Sequence, residues 1–293
     1  MGQGWQCISR AEYAELESRL GARVLWRDGI AWRRVKPFFW RPVFPYEVIL
    51  PGAAVKPPFG KCSIYQHLVE SAAVANTWVR YVVFRDVREY DIAQLGRSHR
   101  KHLQKGLEHF EIRPIEDYTR FVEEAWPVYV DFYLRTRYEY RRDRCRLGVF
   151  QKWAKPLFEC PGVLVLGAFA STGLYGVDIS YWVEQYVIAG PTFCRTEALP
   201  CRVSDALLHS LRETVARLNG VKAIWMGSVV RKHGINDFKL ERGAVVEKMP
   251  AYCKMPSVFF KALKTLWPSV LERMGFQMIL LNVCPWGCLA GGM

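Results

Sequence analysis

Apolar and polar positions between residues 163 and 252 predict seven consecutive elements with no long interruption. Residues 163–170 are almost wholly apolar, the pattern of a buried strand, and Ser171, Thr172 and Gly173 follow as residues suited to a tight hairpin. Residues 174–183 are rich in β-branched and aromatic side chains; after Glu184 and Gln185 the chain returns through 186–190, which predicts a three-stranded antiparallel meander. Leu207, Leu208, Leu211, Val215 and Leu218 then recur at helical spacing. They predict a helix over 204–219 with Ser204 as N-cap, Asp205 in the first turn and Gly220 as the closing residue, its apolar face against the meander. A strand at 221–227, a short helix at 235–242 and a strand at 244–249 complete the order β, β, β, α, β, α, β.

Ahead of this unit the pattern is more varied. A helix is expected over 11–20, then a strand at 22–26 and a turn at 27–29 whose hairpin partner begins at Ile30. Residues 37–46 are dense in Trp, Phe and Pro; the prolines exclude a helix, leaving a core-lining loop or a substrate wall. An irregular Pro- and Gly-rich connection over 51–60 leads to 63–79, read as a helix from the spacing of Leu68, Ala72 and Ala75, and to a strand at 80–85. A basic helix over 95–105 precedes a strand at 110–115; helices follow at 117–142 and 147–160. Residues 257–267 are amphipathic, and no charged residue occurs from Gly275 to Met293. That last run suits either an interfacial membrane anchor or a segment packed on protein.

Composition narrows the class. The 293 residues are 51% hydrophobic and 14% aromatic, ample for a core and incompatible with a disordered chain. A formal net charge of +13 gives a strongly positive field that draws phosphate-bearing partners. The nine cysteines form no paired C-x-x-C framework and the six histidines show no metal spacing, so reduced thiols and no metal site are expected. Residues 1–10 lack a charged start followed by a long apolar run, so no secretory signal is read there, and a cytoplasmic protein, peripheral to the membrane if the tail meets it, is the expectation.

Several residues could carry chemistry. Asp178 is an acid inside an otherwise apolar strand, where desolvation would raise its pKa; it is a general base or a hydrogen-bonded structural carboxylate, with Glu184 and Glu197 as alternatives. Arg202 precedes a helix N-terminus and could share a phosphate with it, and His233 is a further candidate. Arg100 and Lys101 lie on the basic helix, either on a solvated face or reaching a donor or acceptor phosphate. Arg135, Arg137, Arg141 and Arg142, interleaved with Tyr138 and Tyr140, have the composition of a surface that tracks a nucleic-acid backbone and stacks bases, with Glu139 and Asp143 partly neutralising it.

The segment order, together with Phe238, Lys239 and Gly243 just before the last strand, resembles the second half of GNAT-like acyltransferases, particularly the Fem-type peptidyltransferases and their BioF2-like relatives. The resemblance implies an α/β (α+β) fold with a mixed, largely antiparallel sheet flanked by helices. It implies a reduced first GNAT-like half over 1–85, an acyltransferase domain over 86–255 and an amphipathic, apolar segment over 256–293. It implies transfer of an aminoacyl or acyl group to an amine acceptor by direct attack, with aminoacyl-tRNA or acyl-CoA as co-substrate and no tightly bound cofactor. Lys239 and Phe238 would then face the donor, and backbone N–H groups around 189–192 would hold the attacked carbonyl. One departure stands out: residues 197–203 are not the Arg/Gln-x-x-Gly-x-Gly/Ala loop of the acetyl-CoA enzymes, which favours a tRNA-borne donor. The rival from another class is a non-catalytic protein of the same fold that binds RNA or a membrane surface.

Overall fold

The computed structural model describes residues 4–50, 63–137, 142–229, 233–266, 270–271 and 274–275, with His233 described by its backbone alone. In chain order its elements are α1 (Arg10–Arg19), β1 (Val24–Arg27), β2 (Ile30–Lys36), β3 (Phe39–Pro42), β4 (Ile64–Leu68), β5 (Thr77–Phe84), α2 (Arg97–His109), β6 (Glu111–Pro114), α3 (Tyr118–Thr136), α4 (Leu147–Glu159), β7 (Val163–Ala170), β8 (Gly173–Val183), β9 (Tyr186–Cys194), α5 (Val203–Ala216), β10 (Ala223–Ser228), α6 (His233–Leu240), β11 (Val245–Lys254) and α7 (Ser257–Leu266). The strands form one sheet of 11, ordered β1-β2-β3-β4-β11-β5-β10-β9-β8-β7-β6.

Turn chemistry accounts for the hairpins. Asp28 and Gly29 both take positive φ (51° and 76°), the geometry that lets a two-residue turn follow the strand twist between β1 and β2. β7, β8 and β9 are antiparallel neighbours, as the 163–190 pattern predicts. On one face Tyr13, Phe121, Tyr129, Phe150 and Leu157 from α1, α3 and α4 share a core with Tyr181 and Ile188 of the sheet. On the other, Leu207, Leu211 and Val215 of α5 pack on Leu164, Leu166 and Val187. A third cluster joins Trp32, Trp40, Ile49 and Tyr65 at the far end of the sheet.

Several sequence expectations are corrected. Residues 63–79 are not a helix: β4, a single 3-10 turn at Ala72–Val74 and the start of β5 occupy them. Pairing of β4 with β11 on one side and β3 on the other outweighs the weak helical spacing of three residues. The aromatic stretch contains strand β3, with Trp40 buried, rather than only a loop. The helix expected over 117–142 stops at Thr136, because Arg137 turns left-handed (φ 47°). α5 begins at Val203 with a left-handed Arg202 (φ 63°) as its cap, so Ser204 sits inside the first turn instead of capping it, and the helix ends at Ala216 rather than 219. The uncharged run from residue 276 onward lies outside the described residues.

α5 and α6 are clamped together by a buried ion pair. Arg242, following α6, donates from Nε to Asp205 Oδ1 at 2.8 Å, with Nη2 2.6 Å from the same oxygen, and its Nη1 donates to the Phe238 carbonyl at 2.7 Å. Removing one partner leaves a buried charge uncompensated. Asp205→Ala is therefore expected to cost about 3–5 kcal/mol, read as a shift of the urea midpoint at unchanged slope.

Candidate active site

The site begins with two bulges that force neighbouring strands apart. β9 and β10 run parallel but pair only over Tyr186, Val187 and Ile188 with Ala223, Ile224 and Trp225. Beyond Ile188, β9 slips against β8: Asp178 faces Thr192 and Ser180 faces Ala189, so Gly190 and Pro191 are accommodated opposite Ile179. Proline has no N–H to give a ladder, and a Cβ on Gly190 would lie 2.8 Å from the Ile179 carbonyl, so both residue types suit the bulge. β10 slips in its turn, between Trp225 facing Val83 and Ser228 facing Tyr81, with Gly227 at φ +108°. The strands diverge around a cleft of about 970 Å³ that reaches from Tyr13 and Trp153 on one side of the sheet to Leu207, Phe238 and Lys239 on the other.

Asp178 lies buried in its wall, 6% exposed. Thr192 Oγ1 donates to its Oδ1, and Ser180 Oγ donates to Oδ2 at 3.2 Å. Burial pushes its pKa up to about 6, against the opposing pull of Thr192, Ser180 and the Lys239 cation. Lys239, on α6, donates from Nζ to the Met226 carbonyl at 2.6 Å, tying that helix to the splayed end of β10. Burial lowers the Lys239 pKa while Asp178 holds it up. Each group thus stabilises the charge of the other, and the carboxylate can take a proton close to neutral pH.

The remaining candidates are distributed unevenly. Phe238 lines the cleft, with the Arg242 guanidinium 3.8 Å from its ring centroid. His233 opens α6, but its side chain lies outside the description. Arg100 and Lys101 are exposed on α2 and do not line the cleft. Arg202 does not line it either; its charge acts on His102 of α2, whose pKa falls through burial first and Arg202 second. The arginine cluster is divided. Arg135 turns inward, lines the cleft and donates from Nη2 to the Cys194 carbonyl at 3.3 Å, leaving Nη1 buried without a partner. Arg137 and Arg142 are exposed, Arg144 is buried with its guanidinium 4.2 Å from the Trp153 ring centroid, and Arg141 lies outside the described residues.

Residues 189–192 line the cleft, as the resemblance implies, whereas the Thr192 hydroxyl on Asp178 and the place of Ser204 in the lining are not legible in the sequence, and Arg135 reads there as surface. The Gly190–Pro191 pair inside a strand pattern was a usable sign of the bulge. Among the described residues no group of three or more His, Cys, Asp or Glu could hold a metal ion, and no helix is long and apolar enough to cross a membrane.

A mixed sheet opened between two parallel strands, with a helix N-terminus and a buried acid at the opening, defines a GNAT-like α/β fold, and comparison with solved structures agrees. FemX superposes with a TM-score of 0.58 at 8% identity, over 86% of this chain and 93% of that one. The C-terminal domain (DUF2156) of an inferred lysylphosphatidylglycerol synthetase from Agrobacterium fabrum superposes with a TM-score of 0.57 at 11% identity, over 91% and 92%. L-PGS from Bacillus licheniformis gives 0.56 at 12% identity, over 89% and 92%. No protein-family model matches the chain, and no curated protein matches it. What is shared at these identities is the fold, in the form that FemX and L-PGS have.

Proposed function

We propose that the chain acylates an amine, taking an aminoacyl group from the ester of a charged tRNA, by direct attack within the cleft. The observation that carries this is a buried acid, Asp178, and a cation, Lys239, lining one cleft where β9 and β10 part. The amine must lose a proton to attack, and a buried carboxylate with a pKa of about 6 is suited to accept it. As the nitrogen–carbon bond forms, negative charge develops on the carbonyl oxygen; Lys239 and the backbone amides of the bulge are the donors available to it. The carbon–oxygen bond of the ester then breaks, and the departing ribose oxygen takes up the proton that Asp178 accepted from the amine, which restores the carboxylate. A charged tRNA is supported as donor by the net charge of +13 and by residues 197–203, which form a 3-10 turn and a left-handed cap where acetyl-CoA enzymes have a glycine-rich loop. Exposed Arg137 and Arg142 beside the α3 end of the cleft would meet its backbone.

Parallel titrations with charged tRNA and acetyl-CoA at several salt concentrations test the donor. Tight tRNA binding that weakens steeply with salt, and no saturable coenzyme binding, is the expected result. Saturable coenzyme binding would replace the ester donor with a thioester. Binding of tRNA with no transfer to any amine would favour the non-catalytic RNA-binding reading.

A further inference from the structure

A second cavity, of about 240 Å³, adjoins the cleft: Arg33, Trp225 and Ser228 line both. Its hydrogen-bonding groups do not balance. Of the acids nearby, Glu47 is held by Arg10 at 3.0 Å and Glu17 by Arg33 at 2.8 Å. Tyr81 spends its hydroxyl on the Pro45 carbonyl at 2.8 Å, and burial lowers the pKa of His67, whose Nδ1 lies 2.8 Å from the Leu68 carbonyl. Arg41 has no carboxylate partner among the described residues. Its Nη2 donates to Gln66 Oε1, its guanidinium lies 5.1 Å from the Phe39 ring centroid, and its Nε is buried with nothing to bond. The indole N–H of Trp225 is likewise buried and unpartnered. A guanidinium that lines a cavity without a carboxylate partner calls for a group that accepts, and its planar fork matches a carboxylate or phosphate.

The position of the cavity suggests which substrate it serves. Tyr81 and Trp225 belong to the core shared with α1, α3 and α4, whereas Phe238 belongs to the opposite core, beside α5 and α6. Tyr81 on β5 lies three strands from Asp178 on β8, at least roughly 14 Å across the sheet. We propose that the Arg41 cavity binds the anionic end, carboxylate or phosphate, of an elongated acceptor whose amine reaches Asp178, an inference that rests on amine acylation in the cleft. A free α-amino acid is too short to span both points.

Melting temperature and calorimetric titration at fixed ionic strength test this with three probes: inorganic phosphate, tetraglycine, whose extended chain spans ~14 Å, and tetraglycine amide. Phosphate is expected to bind saturably to the wild-type chain and at least tenfold more weakly to Arg41→Gln. Tetraglycine is expected to bind at least tenfold more tightly than its amide, a preference that Arg41→Gln erases. Arg41→Lys, which keeps the charge without the fork, should weaken phosphate several-fold, and it carries the test if the glutamine variant does not fold. Equal phosphate affinity in wild type and variants, or no saturable phosphate binding, would overturn the anion site. Equal affinity for tetraglycine and its amide would overturn the acceptor assignment. Phosphate binding is read without any donor, so Arg41-dependent binding in a chain that transfers nothing would sink the transfer reading and leave the anion site standing.

Discussion

Asp178→Asn is expected to abolish most transfer while making the folded chain more stable. Loss of a positioned general base removes typically about 10²–10⁴ in rate. The amide fits the same space and can keep its contacts with Thr192 and Ser180, whose hydroxyls can rotate. The stability change follows from the direction of the pKa shift. With a folded pKa of about 6 against 3.8 for the ordinary group, the folded chain binds a proton that the unfolded chain has released between those values. Stability from this group is therefore fully present below about pH 3.8 and lost as pH rises towards 6. At pH 7 the ionised carboxylate costs on the order of 2–3 kcal/mol, which the neutral amide avoids. Urea unfolding at pH 7 should show a higher midpoint for Asp178→Asn. The wild-type rate should rise with pH up to about 6 and then level off as the base ionises. A variant that is both less stable and fully active would make Asp178 a structural carboxylate.

Lys239→Met is expected to lower kcat by about 10²–10³ with KM little changed, the loss that follows removal of one donor to a developing oxyanion. Its methylenes would be replaced by a side chain of similar length, so the packing beside Phe238 should survive, although the Met226 carbonyl loses its 2.6 Å donor. The pH profile separates this role from mere support of the strand end. Without the Lys239 cation Asp178 loses an interaction that lowers its pKa, so the rising limb of the rate should move to higher pH. A profile that stays in place would mean that Lys239 acts only by tying α6 to β10.

Much of the fold could be read from local pattern, and the exceptions have identifiable causes. The meander and the first hairpin were readable because apolar strands end at turn residues such as Ser171, Gly173 and the Asp28–Gly29 pair. β4 was not, since Ile64 to Leu68 has neither clear alternation nor a tight turn after it; its identity comes from β11, whose sequence lies some 180 residues away. Asp178 stood out as an acid in an apolar strand. Lys239 did not, and only the resemblance to the Fem-type group singled it out. Arg135 reads as one of a run of surface arginines because nothing local shows that the helix breaks at Arg137, a left-handed residue that is not glycine. The Arg41 cavity is assembled from residues near positions 41, 66, 81 and 225, a juxtaposition that no local pattern records.

The most direct measurement is a single-turnover reaction with a radiolabelled aminoacyl-tRNA and an amine such as tetraglycine, comparing wild type with Asp178→Asn. Amide product formed by the wild-type chain, at least 100-fold slower formation by the variant, and no label trapped on the protein at any time are the predicted results. Equal rates for the two chains, or label that passes through the protein, would contradict base-assisted direct attack in the cleft.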